Sequence, residues 1–475
     1  MQEKHHTLPG RQVPVLLEVD VAVVGGGFPG VCAALAAARL GAKVALLERD
    51  GLLGGQAVEV YTFGLTGFTD NHGKQFVKGI PWEIVQKTVA EGQSDPVWHL
   101  VDYDRMEREG RIAELHRLGG PMKNDTYLNP NAFRHVLQTL VDEAGIVTLL
   151  ETPLSDVLLE GNRVKGVVGM GCYGPFAVEA RVVVDTTPQA AVAALAGHSF
   201  AFPQAYTGTH PRVAGVDIHR LLAWALDHLD DVKIVGADRT DRIALEAMVA
   251  RDLGLRFMGF AAVRRAAMAD DTAYEITGMG EARSFVFQYE RDGCGMYWIH
   301  SPEWRNTRLD DPLLLSRALT EMRKRQWLTH KLFREYVPGF EKAHLMDVHP
   351  HIARALNHTG KPGGFTEYDV PWEHMQKGGD LYEDSIVHVM GHHDMGESPS
   401  GWQLPYRSLI PKGLEGLLVI GKPASRFLHV HGTNSAVGQA AGVAAAVAVQ
   451  TGVLLRELDV PKVQEALKEQ GAVVF

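Results

Sequence analysis

The chain has 475 residues, of which 45% are hydrophobic, so it is too long for one small core and predicts two domains or one large domain with an insertion. Its 47 basic and 57 acidic residues give a net charge of −10. That balance disfavours a nucleic-acid partner, because phosphate binding depends on neutralisation by Lys and Arg.

Cysteines and apolar runs exclude further classes. Cys32, Cys172 and Cys294 are widely spaced and odd in number, so they form neither a disulfide framework nor a zinc pattern. The lack of C-x-x-C argues against a disulfide reductase. The polar start up to Val13 has no apolar core of signal-peptide length, and no run of 18 apolar residues follows. We therefore expect a soluble cytoplasmic protein without a membrane span, and the sequence leaves homo-oligomerisation open.

A βαβ unit is predicted from Val19 to Arg49. Val19–Val24 is a short, mostly β-branched run, Lys43–Leu47 is a second strand, and the Ala-rich segment Val31–Leu40 between them has no helix breaker. The first strand leads into G-x-G-x-x-G, a turn that holds a dinucleotide pyrophosphate with free N–H groups and the positive end of a helix. The glycines of this turn are Gly25, Gly26, Gly27 and Gly30.

The second strand ends on Glu48, where a carboxylate would accept hydrogen bonds from an adenosine ribose. Strand, glycines, helix, second strand and acid occur in the expected order, which favours dinucleotide binding. The alternative is a tight strand-to-helix turn in an ordinary α/β protein.

A second glycine loop, Gly54-Gly55-Gln56, follows Glu48 and Arg49. Together these residues resemble the E-[RK]-x-x-x-x-G-G pattern of flavoproteins of the glutathione-reductase-like superfamily. In particular, the chain resembles the FAD-dependent oxidoreductases related to fumarate reductase flavoproteins. The resemblance implies FAD as the cofactor, with Glu48 at its ribose, the glycine loop beside its pyrophosphate, and Arg49 and Gln56 along it. A plain loop is the alternative for Gly54 and Gly55.

A helix and four strands are predicted next. Asn129 is a suitable N-cap and Pro130 suits the first turn, so a helix is expected up to Ala144, before Gly145. Strands are predicted at 147–150, 155–159, 163–170 and 176–184. They resemble the small β-meander of the family, which implies that the backbone near Leu154 meets the adenine.

The last of these strands runs into Asp185-Thr186-Thr187-Pro188, where the family usually has Asp-Ala-Thr-Gly. The resemblance places Thr187 at the cofactor. Pro188 departs from the pattern, and a proline fixes φ and donates no N–H. The geometry of this loop is therefore left open, while the expected fold stands.

The segment 201–399 is expected to form an inserted α+β substrate domain. Helices are predicted at 216–229 and 310–336, and strands at 284–290 and 294–300 flank an Arg-Asp-Gly turn that is typical of a hairpin. Several basic residues of the second helix could form a phosphate patch, although a solvated helix face is favoured.

The C-terminal part carries two further matches to the family. Residues 404–412 read Leu-Pro-Tyr-Arg-Ser-Leu-Ile-Pro-Lys, close to the family's P-Y-R-x-L-[IV]-P-K, and a buried strand follows. A helix rich in small residues is predicted to begin in the segment that starts at His429, and the resemblance implies that its N-terminus points at the flavin pyrimidine carbonyls. The cofactor-binding residues implied in this part are Gly421, Gly432, Asn434, Ser435 and Gly438.

A flavin dehydrogenase also needs a group that takes a proton from the substrate, and a histidine of near-neutral pKa suits that role. His392 or His393 is expected as the general base, and His431 as a hydrogen-bond donor on the flavin side. Arg407 either anchors a substrate carboxylate or pairs with an internal Asp. A metal site built from His388 and the adjacent histidine pair is disfavoured, because successive side chains of an extended chain point to opposite sides. No metal is therefore expected.

The sequence thus predicts an α/β protein with a Rossmann-like FAD-binding domain of the glutathione-reductase type. Residues 15–200, with the β-meander, and 400–475 form that domain, and 201–399 are the substrate or cap domain. We expect a FAD-dependent oxidoreductase that dehydrogenates a small organic substrate or runs the reverse reduction. The alternatives are a flavin monooxygenase that uses NAD(P)H, a non-catalytic FAD-binding or RNA-modification scaffold, and a NAD-binding protein without flavin.

Overall fold

The structure is a computed structural model in which the following residues are described: 10, 12–59, 65, 67–68, 75–92, 128–198, 205–235, 243, 245–246, 255–269, 285–301, 311–347, 353–356, 365–377, 382–389, 402–421, 424, 428 and 430–474.

The described ranges form an α/β protein. Their strands are β1 Val15–Val24, β2 Val44–Leu47, β3 Val147–Leu149, β4 Leu154–Glu160, β5 Arg163–Gly171, β6 Gly174–Asp185, β7 Ala205–Thr209, β8 Arg212–Ala214, β9 Val232–Val235, β10 Leu255–Gly259, β11 Phe285–Arg291, β12 Cys294–Ser301, β13 His344–Asp347, β14 Ala353–Leu356, β15 Ser385–Val389, β16 Trp402–Pro405 and β17 Leu417–Val419. Their helices are α1 Phe28–Arg39, α2 Gln56–Glu59, α3 Ile80–Ala90, α4 Pro130–Glu143, α5 Ala191–Leu195, α6 Ile218–Asp227, α7 Ala261–Ala269, α8 Pro312–Tyr336, α9 Trp372–Lys377, α10 His431–Thr451 and α11 Val460–Glu469.

The first sheet contains a parallel part with the strand order β3-β2-β1-β6-β17. Its register aligns the strand ends, because Val24 pairs with Leu47 and with Asp185, and Asp185 pairs with Val419. The residues that follow β1, β2, β6 and β17 therefore meet at one carboxyl edge. Loops at such an edge are where open α/β sheets bind ligands.

An antiparallel extension, β4-β5-β6, continues the same sheet. Its three strands are consecutive in the chain, so the predicted β-meander is confirmed. The predicted helix before it is confirmed as well, since the Asn129 side chain caps α4 by accepting from the N–H groups of Asn131 and Ala132 at 2.9 and 3.2 Å.

Helices α1 and α10 pack directly against each other. A Cβ atom added at Gly438 would lie 2.1 Å from the carbonyl oxygen of Pro29, and one at Gly442 would lie 2.1 Å from that of Ala33. The two backbones can approach this closely only because both positions are glycine. This contact holds the beginning of α10 beside the glycine turn that precedes α1.

The second sheet has the order β13-β8-β12-β11-β10-β9, and β7 joins β12 to β14. One face packs against α8 through a separate apolar cluster that includes Phe257, Phe287, Tyr297 and Phe333. The predicted hairpin is confirmed as β11 and β12. The helix predicted at 310–336 is α8, which Asp311 caps at its start.

Another predicted helix agrees with the structure only in part. The helix predicted at 216–229 is the shorter α6. None of the helices in the described ranges combines the length and the apolar character that a membrane crossing requires.

Candidate functional site

The turn after β1 is fixed by contacts that allow no side chains. Gly25 has φ +101°, and a Cβ there would lie 2.7 Å from Thr186 Oγ1. A Cβ at Gly30 would lie only 1.8 Å from the carbonyl oxygen of Gly25. The Thr186 hydroxyl lies 2.9 Å from Val24 O and 2.8 Å from Gly25 O, and so ties the β6 edge to the turn.

Gly27 differs from its neighbours, because the protein leaves space beside it. The nearest atoms to a Cβ there would be Pro29 Cδ at 3.7 Å and Gly55 Cα at 3.9 Å, which are ordinary contacts. Gly27 is the N-cap of α1, and no side chain caps this helix. The N-terminal N–H groups and the positive end of the helix dipole are therefore available to an anionic group placed beside Gly27.

Glu48 is buried at the end of β2 and spans the turn. One carboxylate oxygen accepts from Gly26 N–H at 2.5 Å and the other from Asp50 N–H at 3.0 Å. Burial raises the pKa of Glu48, and the two backbone hydrogen bonds act against that rise. Because each carboxylate oxygen has more than one lone pair, Glu48 can still accept from ligand hydroxyls.

The Gly54-Gly55 loop lies on the glycine turn. Gly54 N–H donates to Gly26 O at 2.8 Å, and a Cβ at Gly55 would lie 2.9 Å from Gly27 Cα. Gln56 then begins α2. Arg49 is partly exposed and forms an ion pair with Asp50, with 3.1 Å between Nε and Oδ2.

The beginning of the β-meander is joined to the end of β2. Thr152 N–H donates to Glu48 O at 2.8 Å. Leu154 follows as the first residue of β4 and pairs with Gly169. This arrangement brings the backbone around Leu154 close to Glu48.

The loop after β6 is organised by Asp185, which is fully buried. Its Oδ1 accepts from the Thr187 N–H at 2.9 Å and the Thr187 hydroxyl at 2.7 Å, and its Oδ2 accepts from Val192 N–H at 2.8 Å. Burial raises the pKa of Asp185 to about 6, against the lowering effect of these hydrogen bonds. Thr187 Oγ1 also accepts from Ala191 N–H at 2.8 Å, so its side chain serves the loop itself. The chain accommodates Pro188 because Asp185 binds the residues on both sides of it.

The start of α10 carries polar atoms without partners. No side chain caps this helix. Thr433 Oγ1 and Asn434 Oδ1 are buried and have no hydrogen-bond partner among the described residues. The Ser435 hydroxyl, in contrast, donates to Gly432 O at 2.7 Å. Buried polar groups are normally paired, so these two atoms indicate that a ligand supplies the missing partners.

Gly421 reaches the same edge from β17. Ile420 N–H donates to Asp185 O at 3.1 Å, and Gly421 follows directly. Thr186 and Thr433 were not among the predicted site residues. The signal available in the sequence was the position of Thr433, a hydroxyl residue between the predicted contact residues Gly432 and Asn434.

Comparison with known proteins identifies the family of this chain. The profile of the FAD dependent oxidoreductase family matches residues 20–355 and 373–467. The chain belongs to this family. FAD is therefore its cofactor, and the site described above contains the groups that would hold it.

Individual relatives cover less of the chain. Fumarate reductase (cytochrome) of Shewanella frigidimarina is 30% identical over 187 residues, which are 36% of this chain and 33% of that protein. Thiamine thiazole synthase of Pyrococcus abyssi is 26% identical over 179 residues, 36% of this chain and 58% of that protein. The chain thus spans about a third of the length of the fumarate reductase. A solved geranylgeranyl bacteriochlorophyll reductase-like protein of Thermoplasma acidophilum has a TM-score of 0.42 and 13% identity over 95% of this chain and 83% of that one.

The residues of this FAD dependent oxidoreductase fit the cofactor. The open space beside Gly27 at an uncapped helix start suits the pyrophosphate, and the buried Glu48 carboxylate suits the ribose hydroxyls. Thr433 and Asn434 offer buried polar atoms at the start of α10. When bound, FAD supplies two-electron chemistry, the acceptance or return of a hydride.

His431 is the first residue of α10. Although part of the residue stays accessible, the surrounding protein desolvates the imidazole and lowers its pKa to about 4. The ring is therefore neutral at pH 7, with one N–H donor and one acceptor nitrogen. Because a ring with so low a pKa is a weak base, His431 suits hydrogen bonding to the cofactor better than proton abstraction.

Arg407 lies in the short 3₁₀ turn after β16 and has an internal partner. Its Nη1 lies 3.0 Å from Asp384 Oδ1, and its guanidinium lies 4.4 Å from the centre of the Tyr368 ring. His392 and His393 fall outside the described residues. Within the described ranges, no group of His, Cys, Asp and Glu side chains has the arrangement of a metal site.

Proposed function

We propose that this FAD dependent oxidoreductase dehydrogenates a small organic substrate by hydride transfer to the flavin, or catalyses the reverse reduction. The observation that carries the proposal is the start of α10, where Thr433 Oγ1 and Asn434 Oδ1 are buried and no described residue bonds to them. The helix dipole and the N–H groups of an uncapped helix start stabilise negative charge on a reduced flavin, and the Thr433 hydroxyl can donate to it, whereas the Asn434 amide oxygen can only accept from a ligand N–H. A protein that binds only a nicotinamide dinucleotide at its first glycine turn would not need these groups at the start of α10.

The proposal includes the domain division expected from the sequence. A glutathione-reductase-type FAD domain comprises 15–200 and 400–475, and 201–399 form the substrate domain. Two observations support it: β17 returns to pair with β6, and the second sheet has an apolar cluster of its own.

We assign roles to the candidate side chains on the same basis. His431 acts as a neutral donor on the flavin side, which its lowered pKa supports. His392 or His393 remains the proposed general base. The ion pair between Arg407 and Asp384 supports a structural role for Arg407 rather than that of a substrate anchor.

The visible spectrum of the purified protein, before and after acid precipitation, tests the proposal. We expect the two bands of oxidised flavin, with the colour released into the supernatant, and anaerobic bleaching by the substrates that the protein oxidises. A colourless protein that takes up no FAD would overturn the proposal. Bleaching that requires NAD(P)H would instead assign the flavin monooxygenase reaction.

A further inference from the structure

One face of the second sheet carries a row of side chains that crosses four strands. The register places Arg212 of β8 opposite Met296 of β12. Met296 is opposite Gln288 of β11, and Gln288 is opposite Arg256 of β10. Directly opposed residues of antiparallel strands point to the same side of a sheet, so these four side chains share one face.

The other face of the same strands is occupied by helix α8. The residues next in sequence to members of the row, Val213, Phe257, Phe287 and Tyr297, belong to the apolar cluster around Phe333 of that helix. Successive residues of a strand alternate between faces. The row therefore lies on the face that α8 does not cover.

The two ends of the Gln288 amide differ: its oxygen is hydrogen-bonded, and its NH₂ group has no acceptor among the described residues. The residue is 0% exposed. Its Oε1 accepts from Arg256 Nε at 3.3 Å and from Arg256 Nη2 at 3.2 Å. Since a guanidinium only donates, the amide oxygen must face Arg256 and the NH₂ must point away from it. That Nε2 is buried and has no acceptor among the described residues.

The row offers donors and positive charge to a ligand. The two arginines stand on either side of Gln288 in the row, and neither a guanidinium nor the Gln288 NH₂ can accept a hydrogen bond. Arg212 also lies opposite Asp347 of β13, and both arginines keep other interactions in the fold. Since each arginine has five N–H donors, each can be held in place and still donate to a ligand. An acceptor with negative charge is the complement of such a set. A carboxylate is the best match, because its two oxygens fit the planar fork of Arg.

We propose that the row of Arg212, Met296, Gln288 and Arg256 binds a carboxylate group of the substrate. Gln288 Nε2 donates to it directly, the two arginines approach it from both sides, and Met296 forms an apolar floor. The strands carrying the two arginines are separated by three steps of about 4.8 Å, a span that two long side chains can close. This inference rests on the proposed function in taking the ligand to be the substrate of the oxidoreductase.

Gln288→Glu is the informative variant. The carboxylate oxygen that replaces Oε1 still accepts from Arg256, while the NH₂ donor becomes a second anionic oxygen that repels an anion. Gln326→Glu is the matched control, since Gln326 is 2% exposed and its Nε2 donates to Thr209 from helix α8. Both variants introduce the same charge into a buried glutamine position beside the same sheet. Gln288→Met, which removes the donor without adding charge, separates loss of the hydrogen bond from charge repulsion.

The probe is sodium glutarate, with uncharged glutaramide and sodium phosphate as comparison ligands. Calorimetric titration of the FAD-loaded protein gives the Kd, and circular dichroism reports folding. We expect glutarate binding by the wild type and by Gln326→Glu, at least tenfold weaker binding by Gln288→Glu and Gln288→Met, and no binding of glutaramide. Three results would each overturn the inference: no glutarate binding by the wild type, equal binding by the Gln288 and Gln326 variants, or binding of phosphate but not glutarate.

Failure of this inference and failure of the proposed function give different results. A yellow protein that binds no carboxylate removes only the site at Gln288. A colourless protein whose glutarate binding still depends on Gln288 removes the flavin reaction and leaves the carboxylate site.

Discussion

Gly27→Ala separates cofactor binding from folding at the glycine turn. Gly27 has φ −64° and ψ 170°, a backbone conformation that alanine adopts without strain. Its Cβ would lie 3.7 Å and 3.9 Å from the nearest atoms, so the folded chain accommodates the methyl group. Loss of freedom in the unfolded chain should even raise the free energy of unfolding by about 0.4–1 kcal/mol.

The same methyl group occupies the space in which a pyrophosphate would approach the start of α1. We expect the FAD affinity to fall at least tenfold, which corresponds to about 1.4 kcal/mol of binding free energy. Gly30→Ala provides the contrast, because its Cβ would lie 1.8 Å from a backbone oxygen where an ordinary contact begins at 3.4 Å. Helix α1 would have to move, and overpacking of this kind lowers the free energy of unfolding by about 1–3 kcal/mol or more.

Two measurements on each variant decide the outcome. The ratio of flavin to protein absorbance and a titration with added FAD give cofactor content and affinity, and thermal melting of the FAD-free protein gives stability. Gly27→Ala should melt at or above the wild-type temperature and bind FAD weakly, whereas Gly30→Ala should melt lower. A Gly27→Ala protein with wild-type FAD affinity would show that the cofactor does not approach this turn, and one that melts like Gly30→Ala would show that the space beside Gly27 is filled.

Three further predictions concern other parts of the site. His431→Ala should slow flavin reduction by substrate in single-turnover experiments at pH 7 by about 10-fold or more, because a hydrogen-bond donor is lost from a desolvated site. An unchanged rate of flavin reduction would remove His431 from the mechanism. The pKa of Asp185 is raised to about 6 in the folded chain, so its contribution to stability is full below about pH 4 and is lost as pH rises through 6. The free energy of unfolding of the wild type, measured relative to that of Asp185→Asn, should therefore fall by a few kcal/mol from pH 4 to pH 7. A difference between the two proteins that does not change with pH would contradict the raised pKa. Arg407→Gln and Asp384→Asn should each lower the free energy of unfolding by about 0.2–1 kcal/mol, as expected for a partly exposed ion pair, and leave KM unchanged. A rise of KM in Arg407→Gln alone would show that Arg407 anchors the substrate.

Local sequence patterns determined much of the fold. The β-branched run before Gly25 is a strand, Asn129 caps a helix, and the Arg-Asp-Gly turn joins β11 to β12, because each depends on backbone preferences of a few neighbouring residues. The order of strand, glycine turn, helix, strand and Glu48 likewise indicated a dinucleotide site, since the glycines there serve the tight turn, the close approach of a pyrophosphate and the close packing of the helix.

Contacts between distant residues could not be predicted in this way. The sequence left Arg407 with two roles, and only the fold places Asp384 beside it. It also gave no sign that Asp185 would hold Thr187 and Val192 across the departure at Pro188.

Gln288 shows the same limit most clearly. In the sequence it is one polar residue in a mostly apolar strand, and its position between two arginines depends on the register of four strands. The sequence by itself determined which segments form strands, helices and a glycine turn, because those depend on local sterics and periodicity. Only the tertiary structure decided which polar groups meet and which are left buried without partners, because register and helix packing are set by contacts across the whole chain.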